Sequence, residues 1–283
     1  MSWLTLSLLS LLSFVLYDVA SRFVATRSES PRAFATIYNA VVAILSFSIF
    51  FLDPTPPGAI TPQILLLTLL GLVLWGINGR LEYFVKKHVE ASTFAIVAKV
   101  APVGTFFLAL IYLHESLSIN KLLGVTLIIL ANVLIFVNQG KRAILTPEGL
   151  RYTVMICSVL SFAWFFDALN VPALGVATFS VLSFAIGSLI SGLFPTVSLS
   201  DIKRELALTP LWQIIFLGSL NLSGYTLMLK AFTLTEASNV IPIATATAPF
   251  VVLLSFFLLG EKDFLLRKFI AALITLGGIY LMR

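Results

Sequence analysis

Apolar runs of about twenty residues follow one another along this chain. Their length decides what it can fold into, because roughly 20 residues of α-helix span the hydrocarbon of a bilayer. The runs "ILLLTLLGLVLWGING" (64–79) and "APFVVLLSFFLLG" (248–260) carry no charge at all. Membrane strands would alternate apolar and polar residues over about ten positions, and these runs do not alternate. Inside lipid each backbone N–H and C=O needs a partner within its own segment, so the runs read as spanning helices. Composition agrees: 59% of 283 residues are hydrophobic and 11% charged, which is more apolar surface than one soluble core of that size hides.

The same composition excludes several classes of function. The net charge of +5 is spread over short interhelical segments rather than gathered in one patch, which argues against nucleic-acid partners. A single cysteine, Cys157, allows no intramolecular disulfide and suggests no metal cluster. His88 and His114 lie at loop positions and there is no HExxH, GxSxG or Walker loop, so neither an enzyme nor a cofactor is expected. The opening "MSWLTLSLLSLLSFVLYDVA" lacks a basic leader and a small-residue cleavage pattern and is expected to remain as a helix. The expected product is an all-α, multi-pass protein of the cytoplasmic (inner) membrane.

Proline, glycine and charge clusters punctuate the chain into ten helices, near 3–24, 33–52, 62–82, 91–113, 118–138, 148–168, 172–194, 209–232, 236–259 and 264–282. Between the seventh and eighth, "VSLSDIKRELALTP" offers Ser198 as an N-cap with Asp201 three residues on. It reads as a short interfacial helix or as a solvated loop.

Setting Glu90-Ala91-Ser92 on Glu236-Ala237-Ser238 also brings Ala98 onto Ala244, Glu115 onto Glu261, and Leu127, Ile128 and Leu130 onto Leu273, Ile274 and Leu276. At a nearby offset "LSF" at 12–14 falls on "LSF" at 160–162, each followed within five residues by an aspartate, Asp18 or Asp167. The chain therefore divides into two five-helix halves, 1–140 and 141–283. An odd number of crossings per half turns the second copy upside down, the inverted-repeat design of secondary transporters with a site at the midplane.

A chain of this form, with "EAS…P…E" bounding the fourth helix of each half and a Gly-containing apolar fifth helix, resembles the EamA-type branch of the drug/metabolite transporter superfamily over essentially its whole length. The resemblance implies a basket of helices around a central cavity. It also implies transport of small metabolites, often amino acids or related compounds and usually outward, with both termini cytoplasmic. Charge points the other way for orientation. Most of the 18 Lys and Arg border the odd-numbered loops, among them Arg22, Arg32, Arg80, Lys86 and Lys268, which places those loops in the cytoplasm and the termini outside.

An ionisable side chain at the bilayer centre costs on the order of 3 kcal/mol, so it normally faces water or a partner. Lys99 lies nine residues after Glu90, about 13 Å into its helix. Either its ammonium enters the cavity and attracts a substrate carboxylate or phosphate, or it is locked in an ion pair with Asp18 or Glu82. Gly71, Trp75, Asn78 and Glu82 share one face of the third helix, and the eighth offers Asn221 in place of Trp75 with Tyr225 one turn on. These faces line the cavity or hold the bundle through interhelical hydrogen bonds. Tyr17 beside Asp18, and Trp164 three before Asp167, form paired aromatic and acidic elements. Arg22, four residues after Asp18, is its expected salt-bridge partner, with proton coupling as the alternative role. Asp167, shortly before Asn170 and Pro172 where a helix should end, reads as interfacial. Pro242 and Pro249 with Thr245 between them predict a kink in the ninth helix, and Thr245 is the repeat mate of Lys99.

The expected substrate site is thus Lys99, Trp75, Asn78, Tyr17, Trp164, Asn221, Tyr225 and Thr245, with Asp18 and Glu82 as candidates for coupling to a proton or sodium gradient. These residues point to a secondary exporter of small polar metabolites such as amino acids or organic anions, working by alternating access in the lipid bilayer. The alternatives are a membrane scaffold that binds a partner protein, and an exporter of organic cations, against which Lys99 argues. A water-accessible cavity at mid-depth separates carrier from scaffold. Monomer and homo-oligomer both fit two fused halves.

Overall fold

The computed structural model describes residues 1–52, 58, 60–112, 118–136, 147–193, 196–244 and 246–282, and all regular structure among them is helical. The first half supplies α1 (Trp3–Arg27), α2 (Pro31–Ser46), α3 (Ile49–Leu52), α4 (Pro62–His88), α5 (Ala91–Val97), α6 (Val100–Tyr112) and α7 (Ile119–Phe136). The second supplies α8 (Pro147–Leu174), α9 (Val176–Leu193), α10 (Leu199–Leu208), α11 (Leu211–Phe232), α12 (Ala237–Ala244), α13 (Ala248–Leu258) and α14 (Leu265–Met282). Seven helices or helix pairs are long and apolar enough to cross a membrane. Large apolar side chains such as Leu12, Leu65, Phe107 and Phe257 stand exposed on the outer surface, as a lipid-solvated bundle requires.

Local chemistry sets several of the ends. Ser2 caps α1 by accepting from Thr5 N (3.2 Å), and Thr61 caps α4 by accepting from Ile64 N (3.2 Å) with Pro62 in its first turn. Ser198 accepts from Asp201 N (3.1 Å), so the segment read as helix or loop is the helix α10. Gly175, at φ 77°, is the single residue between α8 and α9, a conformation that favours glycine.

Two helices run furthest past their expected ends. α4 continues to His88 rather than 82, because Tyr83, Val85 and Lys86 are buried and their packing holds the last turn. α8 continues through Pro172 to Leu174, because Val171 and Leu174 are buried in the core, and Gly58 N donates to the Ala173 carbonyl at 2.7 Å.

The halves interleave: α1 lies along α11, α2 along α9, and α4 along α8 and α9. Their last helices, α7 and α14, pack on one another. A Cβ on Gly278 would stand 2.6 Å from the Gly124 carbonyl oxygen, whereas one on Gly277 would meet nothing within 4 Å. Backbone cannot yield as a side chain does, and close helix approach is what small residues give a membrane bundle. Gly278→Ala is therefore expected to destabilise by about 1–3 kcal/mol, while Gly277→Ala leaves stability unchanged or slightly raised. Reversible unfolding in mixed micelles compares the two.

Candidate functional site

The site forms where two helices break. Pro102 has no N–H to offer Ala98 and its ring crowds that carbonyl, so α5 stops at Val97 and α6 begins at Val100. Lys99 sits in the gap. In the second half α12 stops at Ala244 and α13 starts at Ala248, with Pro249 in its first turn. Thr247 sits at that gap. The two meet: Lys99 Nζ donates to Thr247 Oγ1 at 3.0 Å, and Thr247 Oγ1 donates to Asp18 Oδ2 at 3.4 Å. Lys99 is 5% exposed, and no carboxylate among the described residues lies within ion-pair distance of it.

The ion pair with Asp18 and Glu82, one of the two readings for Lys99, is made instead by Lys86. That ammonium, 2% exposed, donates to Glu82 Oε1 (2.7 Å), Asp18 Oδ1 (3.3 Å) and Ser21 Oγ (2.7 Å), and lies 4.2 Å from the centre of the Tyr17 ring. Tyr17 donates to Glu82 Oε1 at 2.7 Å. Asp18 does not pair with Arg22, whose guanidinium reaches the Lys86 carbonyl and lies 3.9 Å from Glu261. The helical spacing of four was available to both, but Arg22 points toward α4 and the loop after α13. Lys86 and Lys268, read as loop cations, are both buried.

Asp167 also departs from expectation. Because α8 runs on through Pro172, this carboxylate is 0% exposed rather than interfacial. It accepts from Trp75 Nε1 (2.7 Å) and Tyr225 OH (3.1 Å). The Trp75 and Tyr225 rings stand edge to face at 5.2 Å, with Phe184 5.8 Å beyond Tyr225. Asn221 Nδ2 donates to Tyr38 OH at 2.7 Å.

A cavity of about 130 Å³ lies among these groups. Tyr17, Asp18, Trp75, Asn78, Glu82, Lys99, Trp164, Asn221 and Tyr225 all line it, while Thr245 lies outside the described residues. Tyr38, Asn39 and Thr247 line it too and were missed in the sequence, although an asparagine inside the apolar run "IYNAVV" was a visible signal for Asn39. Among the described residues Asn39 Nδ2 and Asn78 Oδ1 are buried without a hydrogen-bond partner, leaving a donor and an acceptor for water or solute. Aromatic rings make much of the remaining wall.

The model of the EamA-like transporter family matches residues 1–137 and again 149–283. The chain belongs to the EamA-like transporter family. It is thereby a member of the drug/metabolite transporter superfamily, built from two copies of one family unit. The first half of this EamA-like transporter and the second are each about the size of a relative in Methanocaldococcus jannaschii, the uncharacterized protein MJ1333.1. That protein is 26% identical over 135 residues, covering 48% of this chain and 98% of the relative. A solved crystal structure at 12% identity superposes with a TM-score of 0.67 over 98% of this chain and 97% of that one, a likeness of fold.

In this EamA-like transporter the repeated "EAS" has a physical task in its first copy. Glu261, from the loop after α13, accepts from Ala91 N (2.8 Å), Ser92 N (3.0 Å) and Ser92 Oγ (2.5 Å), so the second half caps α5 of the first. Glu90 pairs with Lys268 of α14. The cap and the ion pair fasten one end of the bundle, next to the Lys86 cluster.

Proposed function

We propose that this EamA-like transporter is a secondary carrier that binds a small metabolite through its carboxylate at Lys99 and moves it by alternating access, outward in the direction the family resemblance implies. The observation that carries the reading is a buried ammonium at the meeting point of two broken helices, facing a cavity, with a hydroxyl rather than a carboxylate as its partner. A buried cation held in that way keeps its attraction for an anion. Discontinuous helices whose ends face a midplane site are the usual construction of carriers. The aromatic wall formed by Trp75, Tyr225, Trp164 and Phe184 suits an apolar body behind the carboxylate, and Asn39 and Asn78 supply hydrogen bonds.

The finer topology belongs to the same proposal: ten crossings, in two copies of opposite orientation, with a second conformation reached by exchanging their roles. The cavity supports a carrier over a scaffold, whose centre would be filled. Lys99 disfavours organic cations.

Thermal unfolding of the purified protein tests the substrate class, against amino acids, organic acids, phosphorylated metabolites and cationic drugs. A carboxylate present at a hundred times its Kd is expected to stabilise the folded state by about 2.7 kcal/mol, and cationic drugs are expected to do nothing. Stabilisation by cationic drugs alone overturns the reading.

A further inference from the structure

Three carboxylates of the described residues stand at or just behind the cavity. Asp18 and Glu82 share the ammonium of Lys86, and Asp18 also faces Lys99 across the Thr247 hydroxyl, so two cations stand by these two carboxylates. Asp167 is different. It is fully buried, and among the described residues no lysine or arginine lies within ion-pair distance of it. It holds two side chains that line the cavity, Trp75 and Tyr225, one on each carboxylate oxygen. The groups facing it are Trp75 from α4 and Tyr225 from α11, and only Tyr225 can titrate. The other helices packed on α8, namely α6 and α9, bring no charged side chain to it among the described residues.

We propose that Asp167 is the proton-binding site of this carrier, and that taking up a proton there re-aims Trp75 and Tyr225 in the cavity wall. The inference gives the transport reading its coupling ion and rests on that reading for its purpose. The step balances simply. Asp167 lies behind the lining residue Tyr225, so a hydronium in the cavity gives its proton to the Tyr225 oxygen and becomes water while the phenol passes its own proton to Asp167 Oδ2, each O–H bond formed being matched by one broken. The new carboxylic O–H donates to the Tyr225 oxygen, and the phenol must hold its newly received hydrogen away, toward the neighbouring Ser183 hydroxyl. Trp75 keeps its acceptor but loses the charge that strengthened the bond. Proton occupancy thus resets two rings against which a solute packs. Asp18 and Glu82 already have a resident cation, and gaining a proton there would first have to dislodge Lys86.

The test needs no substrate. A variant carrying Trp3→Phe, Trp164→Phe and Trp212→Phe leaves Trp75 as its one tryptophan, and its emission is followed as pH is varied in detergent. A sigmoidal transition is expected in this background and its complete loss in Asp167→Asn. A Trp75 emission indifferent to pH, or an unchanged transition in Asp167→Asn, overturns the proposal. Should Asp167→Asn fail to fold, Tyr225→Phe in the same background must move the midpoint, and an unmoved midpoint has the same force. Carboxylate transport by a protein whose Trp75 is inert refutes this inference alone; a titrating Trp75 in a protein that no carboxylate stabilises refutes the transport reading alone.

Discussion

Lys99→Ala is expected to lose about 2–5 kcal/mol of substrate affinity, roughly 30-fold to several thousand-fold, because the bound carboxylate is left buried without the cation it pairs with. Uptake of the most stabilising carboxylate into proteoliposomes then falls to background. The empty protein behaves oppositely. Its Lys99 is held by a neutral hydroxyl, Thr247 Oγ1, with Asp18 on the far side of that hydroxyl, and a buried charge held off from its counter-charge costs more in lost hydration than it regains. Truncating it should leave the thermal midpoint without ligand unchanged or higher. Lys99→Ala protein that transports normally rules out a binding role for this lysine. A variant that unfolds in the absence of ligand assigns Lys99 to structure.

Lys86→Met is expected to fail in the other way. Its ammonium sits between Glu82 Oε1 at 2.7 Å and Asp18 Oδ1 at 3.3 Å, and removal leaves two carboxylates facing each other in a buried cluster. Breaking a buried pair costs about 3–5 kcal/mol, a large part of the ~5–15 kcal/mol that holds a typical fold together. The expected result is little monodisperse protein by size exclusion. Adding Asp18→Asn and Glu82→Gln to Lys86→Met removes the uncompensated charge and should restore folding. A Lys86→Met protein as stable as its parent would contradict the structural role. Two buried lysines thirteen positions apart are thereby assigned opposite consequences.

Much of this arrangement could be read before any coordinates, and the misreadings share one cause. Depth along a helix follows from counting residues, so Lys99 could be placed inside the membrane and Trp75, Asn78 and Glu82 on one face. That face lines the cavity. Which group meets which depends on how each helix is rotated against its neighbours, and no periodicity carries that. Asp18 was matched to Arg22 by spacing within one helix, but α4 brings Lys86 nearer. Lys86 itself was hidden by an expected helix end at 82. Pro172 misplaced Asp167 for the same reason: a local breaking signal was outweighed by burial of Val171 and Leu174 on either side of it. The pairing of Lys99 with Thr247 needed both helix breaks, one in each half, to be set against each other in space.

The bond between Glu261 and the start of α5 reaches from one half of the polypeptide to the other, and a ribosome makes those halves in order. When Ala91 and Ser92 leave the exit tunnel, the side chain that will satisfy their amides has yet to be made, about 170 residues downstream. At ~5–20 residues per second the nascent first half waits roughly 10–35 s with those donors unmet. During that interval its broken helix must borrow partners from water, lipid headgroups or the insertion machinery. Synthesis of Glu261 is then what closes this end of the bundle, so a chain cut short before it leaves the amides of Ala91 and Ser92 as unmet as they were at the start.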